Sequence, residues 1–127
     1  MIDALFSQSN YVATKKMLDA TALRHEAIAS NIANIETSNY KRVDLAPDFS
    51  SELRSALSTG DARKISSVQA RIAEDSSAIS ANRDGNTVQL ETELMNLNQN
   101  TLAHSLETQM VSGALLKLRL AITGRPA

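Results

Sequence analysis

The two ends of this chain carry long stretches with helical apolar patterning, and that placement constrains the fold more than any other feature. From about residue 7 to residue 35 there is neither Gly nor Pro, and Leu18, His25 and Ile32 interleave with Thr21, Ile28 and Ile35 at spacings of three and four. Such spacing lays one seam along a helix. A second row, Ala22, Ala29 and Ala33, lies beside it and permits close backbone approach to another neighbour. In residues 86–127, Leu94, Thr101, Thr108, Leu115 and Ile122 alternate with Leu97, His104, Val111 and Leu118 in a sustained heptad. Met95, Leu102, Leu106, Met110 and Leu116 form an adjacent stripe. Glu91 and Glu93 stand at the start of this second helix and Lys117 and Arg119 near its end, as the helix dipole favours. Gly124 and Pro126 terminate it.

Hydrophobic residues make up 43% of the 127 positions but aromatics only 3%, so the apolar surface is aliphatic and suited to helix seams. The expected fold is all-α: the long N- and C-terminal helices pair as an antiparallel, coiled-coil-like hairpin around a loosely structured central segment with a short helix. Residues 1–42, 43–85 and 86–127 then form one elongated assembly domain. In the centre, Phe49, Leu53 and Leu57 fall four apart between Pro47 and Gly60, which predicts a short amphipathic helix. Val68, Ala70 and Ile72 alternate, but three positions do not carry a strand, and the centre reads as helix followed by loop. Arg83, Asp84, Gly85 and Asn86 make a turn, after which Asn86 with Gln89, or Asp84 with Thr87, is positioned to cap the C-terminal helix.

The same residues exclude several classes of function. Net charge is -1 and the 13 basic residues are scattered, which argues against nucleic acid as a partner. Absence of Cys removes disulfides and thiol chemistry. His25 and His104 each fall on an apolar seam and read as hydrogen-bonded seam residues, so no metal or cofactor is expected. No nucleophile elbow or phosphate-cradling glycine loop occurs, and the chain does not read as an enzyme. No stretch approaches the ~20 apolar residues of a membrane span, so direct membrane insertion is not expected. The first ten residues lack a secretory pattern, which by itself would place the chain in the cytoplasm.

A hairpin covers one seam of each helix, and the C-terminal helix has more apolar surface than one seam. The strict heptad is expected to face the chain's own core and the adjacent stripe to face another molecule. At roughly 1.5–3 kcal/mol per buried Leu or Met, leaving the five residues of that stripe in water forgoes on the order of ten kcal/mol. A lone copy is therefore expected to be incompletely folded, with subunit packing completing it.

The first helix runs into Asn31, Ile32, Ala33, Asn34, Ile35, Glu36, Thr37, Ser38, Asn39, Tyr40, Lys41 and Arg42. Here Asn, Thr and Ser compete for backbone hydrogen bonds, and Asn39 can take positive φ. This run resembles the N-terminal signature of the bacterial flagellar rod, hook and filament-junction family. The run from Gly85 to Glu91 resembles that family's lead into its C-terminal helix. Ser38 and Asn39 stand where its members usually carry Pro and Gly, and Asp44 and Phe49 are separated by four residues where the family has an Asp and Phe close together. The short length, without large insertions, is most similar to the proximal rod members. A sibling proximal rod subunit is the alternative within the family, and a cytosolic helical adaptor or export chaperone the alternative outside it.

The resemblance implies a structural subunit that polymerises through its terminal helices into the axial drive shaft of the flagellar basal body, in the periplasm. Its implied partners are copies of itself, other flagellar rod and basal-body proteins, and the flagellar type III export apparatus, which needs no cleaved signal peptide. Asn31, Ile32, Ala33, Asn34, Thr37, Tyr40, Lys41 and Arg42 would serve subunit packing, with Tyr40 against a neighbouring helix and Lys41 or Arg42 on its carboxylates. Early substrates of that apparatus carry a Phe followed four residues later by an aliphatic residue, a pattern that Phe49 and Leu53 fit. Ile2, Leu5 and Phe6 would form an apolar N-terminal element that assists export.

Overall fold

The computed structural model describes residues 8–80 and 82–124. Their order is α1 (Ser9–Ala33), β1 (Val43–Leu45), α2 (Asp48–Thr59), α3 (Ala62–Ser67), β2 (Ile72–Glu74) and α4 (Leu90–Thr123). The long terminal helices pack together antiparallel, as expected: Asn31 of α1 bonds Glu93 of α4, while Thr21 bonds Glu107 and its carbonyl accepts from Asn100. At ~1.5 Å per residue, α1 is about 37 Å long and α4 about 51 Å. Ser7, Ile2, Leu5, Phe6 and Pro126, which entered the sequence reading, lie outside the described residues.

The central segment does more than connect. It holds a second short helix, α3, and an antiparallel pair in which Val43, Asp44 and Leu45 face Glu74, Ala73 and Ile72. Bonds from Ala46 N to Arg71 O (2.8 Å) and from Asp75 N to Arg42 O (3.0 Å) extend the pair at both ends. The Val68, Ala70, Ile72 alternation is resolved with a shift: Ile72 opens β2, whereas Val68 is the residue that ends α3.

The buried hydrophobic cluster joins Ala13 and Ala20 of α1 to Phe49, Leu53, Ala56, Ile65 and Val68 of the centre. Ala13, Ala20 and Ala27 recur every seven residues and are all buried, so small side chains let the centre lie close against α1. The core therefore sits between α1 and the middle of the chain, not in the seam between the long helices. Of the residues expected on the α1 seam, Ile28 is buried, Leu18 and Ile32 are half-buried, and His25 is exposed.

The strict heptad of α4 does not face a core, contrary to expectation. Leu94, Leu115 and Ile122 are exposed, and Leu97, Val111 and Leu118 are half-buried. The fully buried residues of α4 are instead Glu93, Asn100 and Glu107, which also recur every seven residues. With ~3.6 residues per turn, Met95, Leu102 and Leu106 lie on the side roughly opposite Asn100, and Met110 stands at its edge, about a quarter-turn from Asn100. The helix covers polar side chains most completely and leaves large aliphatics exposed.

Turn chemistry matches the sequence at several points. Asn39 has φ 60°, and Gly60 and Gly124 close α2 and α4 at φ 66° and 64°. Gly85 (φ 78°) meets a second demand, since a Cβ there would stand 2.6 Å from Asn39 Oδ1.

Candidate functional site

The run from Asn31 to Arg42 folds into a clamp that binds α1, the centre and α4 to one another. Asn31 has no exposed surface. Its Nδ2 donates to Val43 O at 2.8 Å and to Glu93 Oε2 at 3.2 Å, and its Oδ1 accepts from Val43 N at 2.9 Å. One helical side chain thereby completes the backbone pairing of a strand. Tyr40 Oη, half-buried, stands 3.1 Å from Ser30 Oγ and donates to Asn31 Oδ1 at 3.3 Å.

Arg42 is 6% exposed, although the family resemblance implied a base aimed at a neighbouring subunit. Its guanidinium has five donors in a planar fork, and three carboxylates of this chain meet it. Nε donates to Glu93 Oε1 at 2.7 Å, Nη2 to Asp44 Oδ2 at 3.1 Å, and Nη1 to Asp75. Its backbone N donates to Thr87 Oγ1 at 2.8 Å. Arg24 of α1 donates to the other oxygen of Asp44 at 2.9 Å. Lys41 stays exposed, with Nζ on Gly85 O at 2.8 Å.

These charges shift one another. Burial works to lower the Arg42 pKa, but the hydrogen bond and charge of Glu93, with help from Asp44 and Asp75, outweigh it and hold the guanidinium above its usual value. For Asp44, burial works upward and is outweighed by the bonds from Arg24, Leu45 N and Arg42, leaving its pKa below the usual value. Asp75 is lowered first by the Ser77 hydroxyl and also by Ser77 N and Arg42.

A second lock holds the exit of α1. Asn86, fully buried, donates from Nδ2 to the carbonyls of Asn34 (2.9 Å), Ile35 (3.0 Å) and Thr37 (2.8 Å), and its Oδ1 accepts from Val88 N at 2.7 Å. The expectation that Asn86 caps the following helix is thus corrected: it satisfies carbonyls left over at the end of the preceding one. Gln89, the residue before α4, makes no side-chain cap. Among the motif residues, Asn34 and Thr37 bond to each other within the same turn, while Ile32 is half-buried and Ala33 exposed.

Sequence reasoning missed Asp75 and assigned other roles to Glu93, read there as a dipole complement, and to Thr87, read as a cap partner of Asp84 and found accepting from Arg42 N. The seven-residue recurrence of Glu93, Asn100 and Glu107 was the available signal, hidden because seams are searched for among apolar residues. Phe49 and Leu53 are both buried in the core. His25 and His104 are exposed, with His104 Nδ1 3.4 Å from Thr21 Oγ1. Among the described residues no group of three or more His, Asp or Glu could hold a metal ion.

The remaining feature is the averted face of α4, where Leu102 is 73% exposed, Leu106 59% and Met95 55%, with Met110, 54% exposed, at its edge. Single exposed aliphatics are ordinary, whereas a contiguous row of them marks a contact surface. Two long helices clamped by buried polar groups, with an apolar face turned outward, define a helical assembly subunit.

Comparison with known proteins agrees. The family described as "Flagella basal body rod protein" matches residues 18–41, from the middle of α1 to Lys41. The chain is similar to the flagellar basal body rod protein FlgB of Borrelia hermsii, 31% identical over 114 residues, covering 75% of this chain and 82% of that protein. It is also similar to the flagellar basal body rod protein FlgB of Aquifex aeolicus (strain VF5), 31% identical over 116 residues, covering 87% of this chain and 90% of that one. The chain belongs to the flagellar basal body rod protein family.

Removing one partner of a buried ion pair costs about 3–5 kcal/mol, so Arg42→Ala should lower unfolding free energy by that order in chemical denaturation. Asp44 and Asp75 are depressed below their ordinary pKa of 3.8, so their stabilisation is full above that value and is lost as pH falls through their folded values. Acid titration followed by circular dichroism should show this loss below pH 3.8 in the wild-type chain and a smaller one in the variant, which has already lost the partner.

Proposed function

We propose that this chain, a structural subunit of the flagellar basal-body rod, is built into the shaft through its terminal helices and has no catalytic role. Residues 1–42, 43–85 and 86–127 act as one elongated assembly domain. Copies of the chain and other rod proteins cover the averted face of α4, and the assembled structure transmits torque through the periplasm. The observation that carries this reading is the inverted polarity of α4: the fully covered positions are Glu93, Asn100 and Glu107, and the side facing away carries Met95, Leu102 and Leu106. Membership in the rod family weighs against the cytosolic adaptor.

Among the motif residues, Asn31, Tyr40 and Arg42 act from within. They set the angle between α1, the centre and α4, while exposed Lys41 and the half-buried Ile32 remain available to a neighbour. Export through the flagellar type III apparatus, without a cleaved signal peptide, fits the same reading. No helix among the described residues is long and apolar enough to cross a membrane. Because Phe49 and Leu53 are buried once folded, the export apparatus would read them on the unfolded chain.

Leu102→Glu with Leu106→Glu should leave the helical circular dichroism of the isolated chain unchanged and abolish both incorporation into basal bodies and motility. Normal motility would remove the averted face from the assembly. For export, Phe49→Ala should reduce secretion into the medium, whereas Ile65→Ala, an equally buried core change outside the pattern, should not; equal secretion of both would remove the gate assignment.

A further inference from the structure

The turn that leads into α4 contains the chain's one Asp-Gly step. Of the four glycines, only Gly85 follows an Asp, and none follows an Asn. In such a step the backbone N of the glycine can attack the carboxyl carbon of the preceding side chain, because no Cβ shields it. Asp84 is exposed, which gives its carboxyl the water that the chemistry needs. The glycine is held in place by geometry: its φ is 78°, and a Cβ would stand 2.6 Å from Asn39 Oδ1. The fold therefore demands, at this position, the residue that makes the step reactive.

The closed turn restrains both reacting groups. Gly85 N donates to Asn82 O at 3.2 Å, and Asp84 Oδ1 accepts from Asn86 N at 3.1 Å. The main chain on either side is held as well, since Asp84 O accepts from Asn39 N at 2.9 Å and Gly85 O from Lys41 Nζ at 2.8 Å. Asn86, next in the chain, is buried and pinned through its side chain to the exit of α1. For Gly85 N to reach Asp84 Cγ, its own bond and that of Asp84 Oδ1 must break. Reaction then follows the fraction of molecules in which the turn is open.

We infer that Asp84–Gly85 is a site of spontaneous isoaspartate formation, and that the Asn86 lock at the exit of α1 controls its rate. Gly85 N bonds to Asp84 Cγ, the carboxyl hydroxyl leaves as water with the proton from that N, and a succinimide ring closes. Water then adds to either ring carbonyl and breaks its bond to N. Opening at Cγ restores aspartate. Opening at the main-chain carbonyl leaves the chain running through Cβ and Cγ, with the former main-chain carbonyl now a free carboxylate. One water is released and one consumed, and no other reactant takes part. The extra main-chain carbon displaces Gly85 from Asn39 and draws Asn86 off the carbonyls of Asn34, Ile35 and Thr37, so an isomerised chain holds its own lock open.

The test ages the full-length wild-type chain and Asn86→Ala at neutral pH, each in buffer and unfolded in guanidinium chloride. Both are then digested with a protease that cuts before aspartate and not before isoaspartate. Asp75, which is followed by Ser76 and so has a shielded neighbour, is the reference within each digest. Resistance at Asp84 should build up in the unfolded wild type and at least about tenfold more slowly in the folded one, because two hydrogen bonds must break first. In buffer, Asn86→Ala with its helical circular dichroism retained should close most of that gap. No resistance at Asp84 in the unfolded chain would overturn the site. Equal rates in folded and unfolded wild type would overturn its control by the lock, as would a helical Asn86→Ala that ages no faster than wild type. If Asn86→Ala loses its helical signal, the comparison of folded with unfolded wild type decides alone.

Discussion

Glu93 has no exposed surface, and a carboxylate in that position is tolerable because Arg42 meets it at 2.7 Å and Asn31 donates to its other oxygen. The pair does not merely add stability, since a buried ion pair often contributes less than a well-packed apolar pair would. What it does is fix the rotation of α4 about its own axis. Once Glu93 faces Arg42, the seven-residue recurrence brings Asn100 and Glu107 to the same side, where Thr21 receives both. Everything a half-turn away must then face outward.

That constraint explains why a chain with a sound core still offers apolar surface. The centre supplies α1 with hydrophobic neighbours through Phe49, Leu53, Ile65 and Val68. Among the described residues, the contiguous row of exposed aliphatics belongs to α4. The division suits a subunit that must be a defined object before assembly and yet gain most of its binding free energy from neighbours. It also sharpens the sequence-based expectation of an incompletely folded monomer by confining the unsatisfied surface to one helix.

Much of this was legible in the residues. The absence of Gly and Pro before Asn34, the Pro47 and Gly60 boundaries and the long heptad located α1, α2 and α4 closely. The three-residue strands and the six-residue α3 were not readable, because elements that short draw their order from long-range partners. Asp75, 33 residues from Arg42, is one such partner. The core was missed for a related reason: Ala13, Ala20 and Ala27 carry little hydrophobic signal, yet their small size is what admits Phe49 and Leu53. At the clamp, the resemblance directs Arg42 to a neighbour's carboxylates, and only its three carboxylate partners within the chain, brought from β1, the turn after β2 and α4, make its burial intelligible.

The central claim is that the averted face of α4 is bare in a lone chain and covered in the assembled rod. A single cysteine at Leu106→Cys, unique in this chain, reports on it through its rate of reaction with a small maleimide. The account predicts rapid labelling of the dilute chain and strong protection in intact basal bodies that contain the same variant. Equal labelling rates in the two preparations would contradict it.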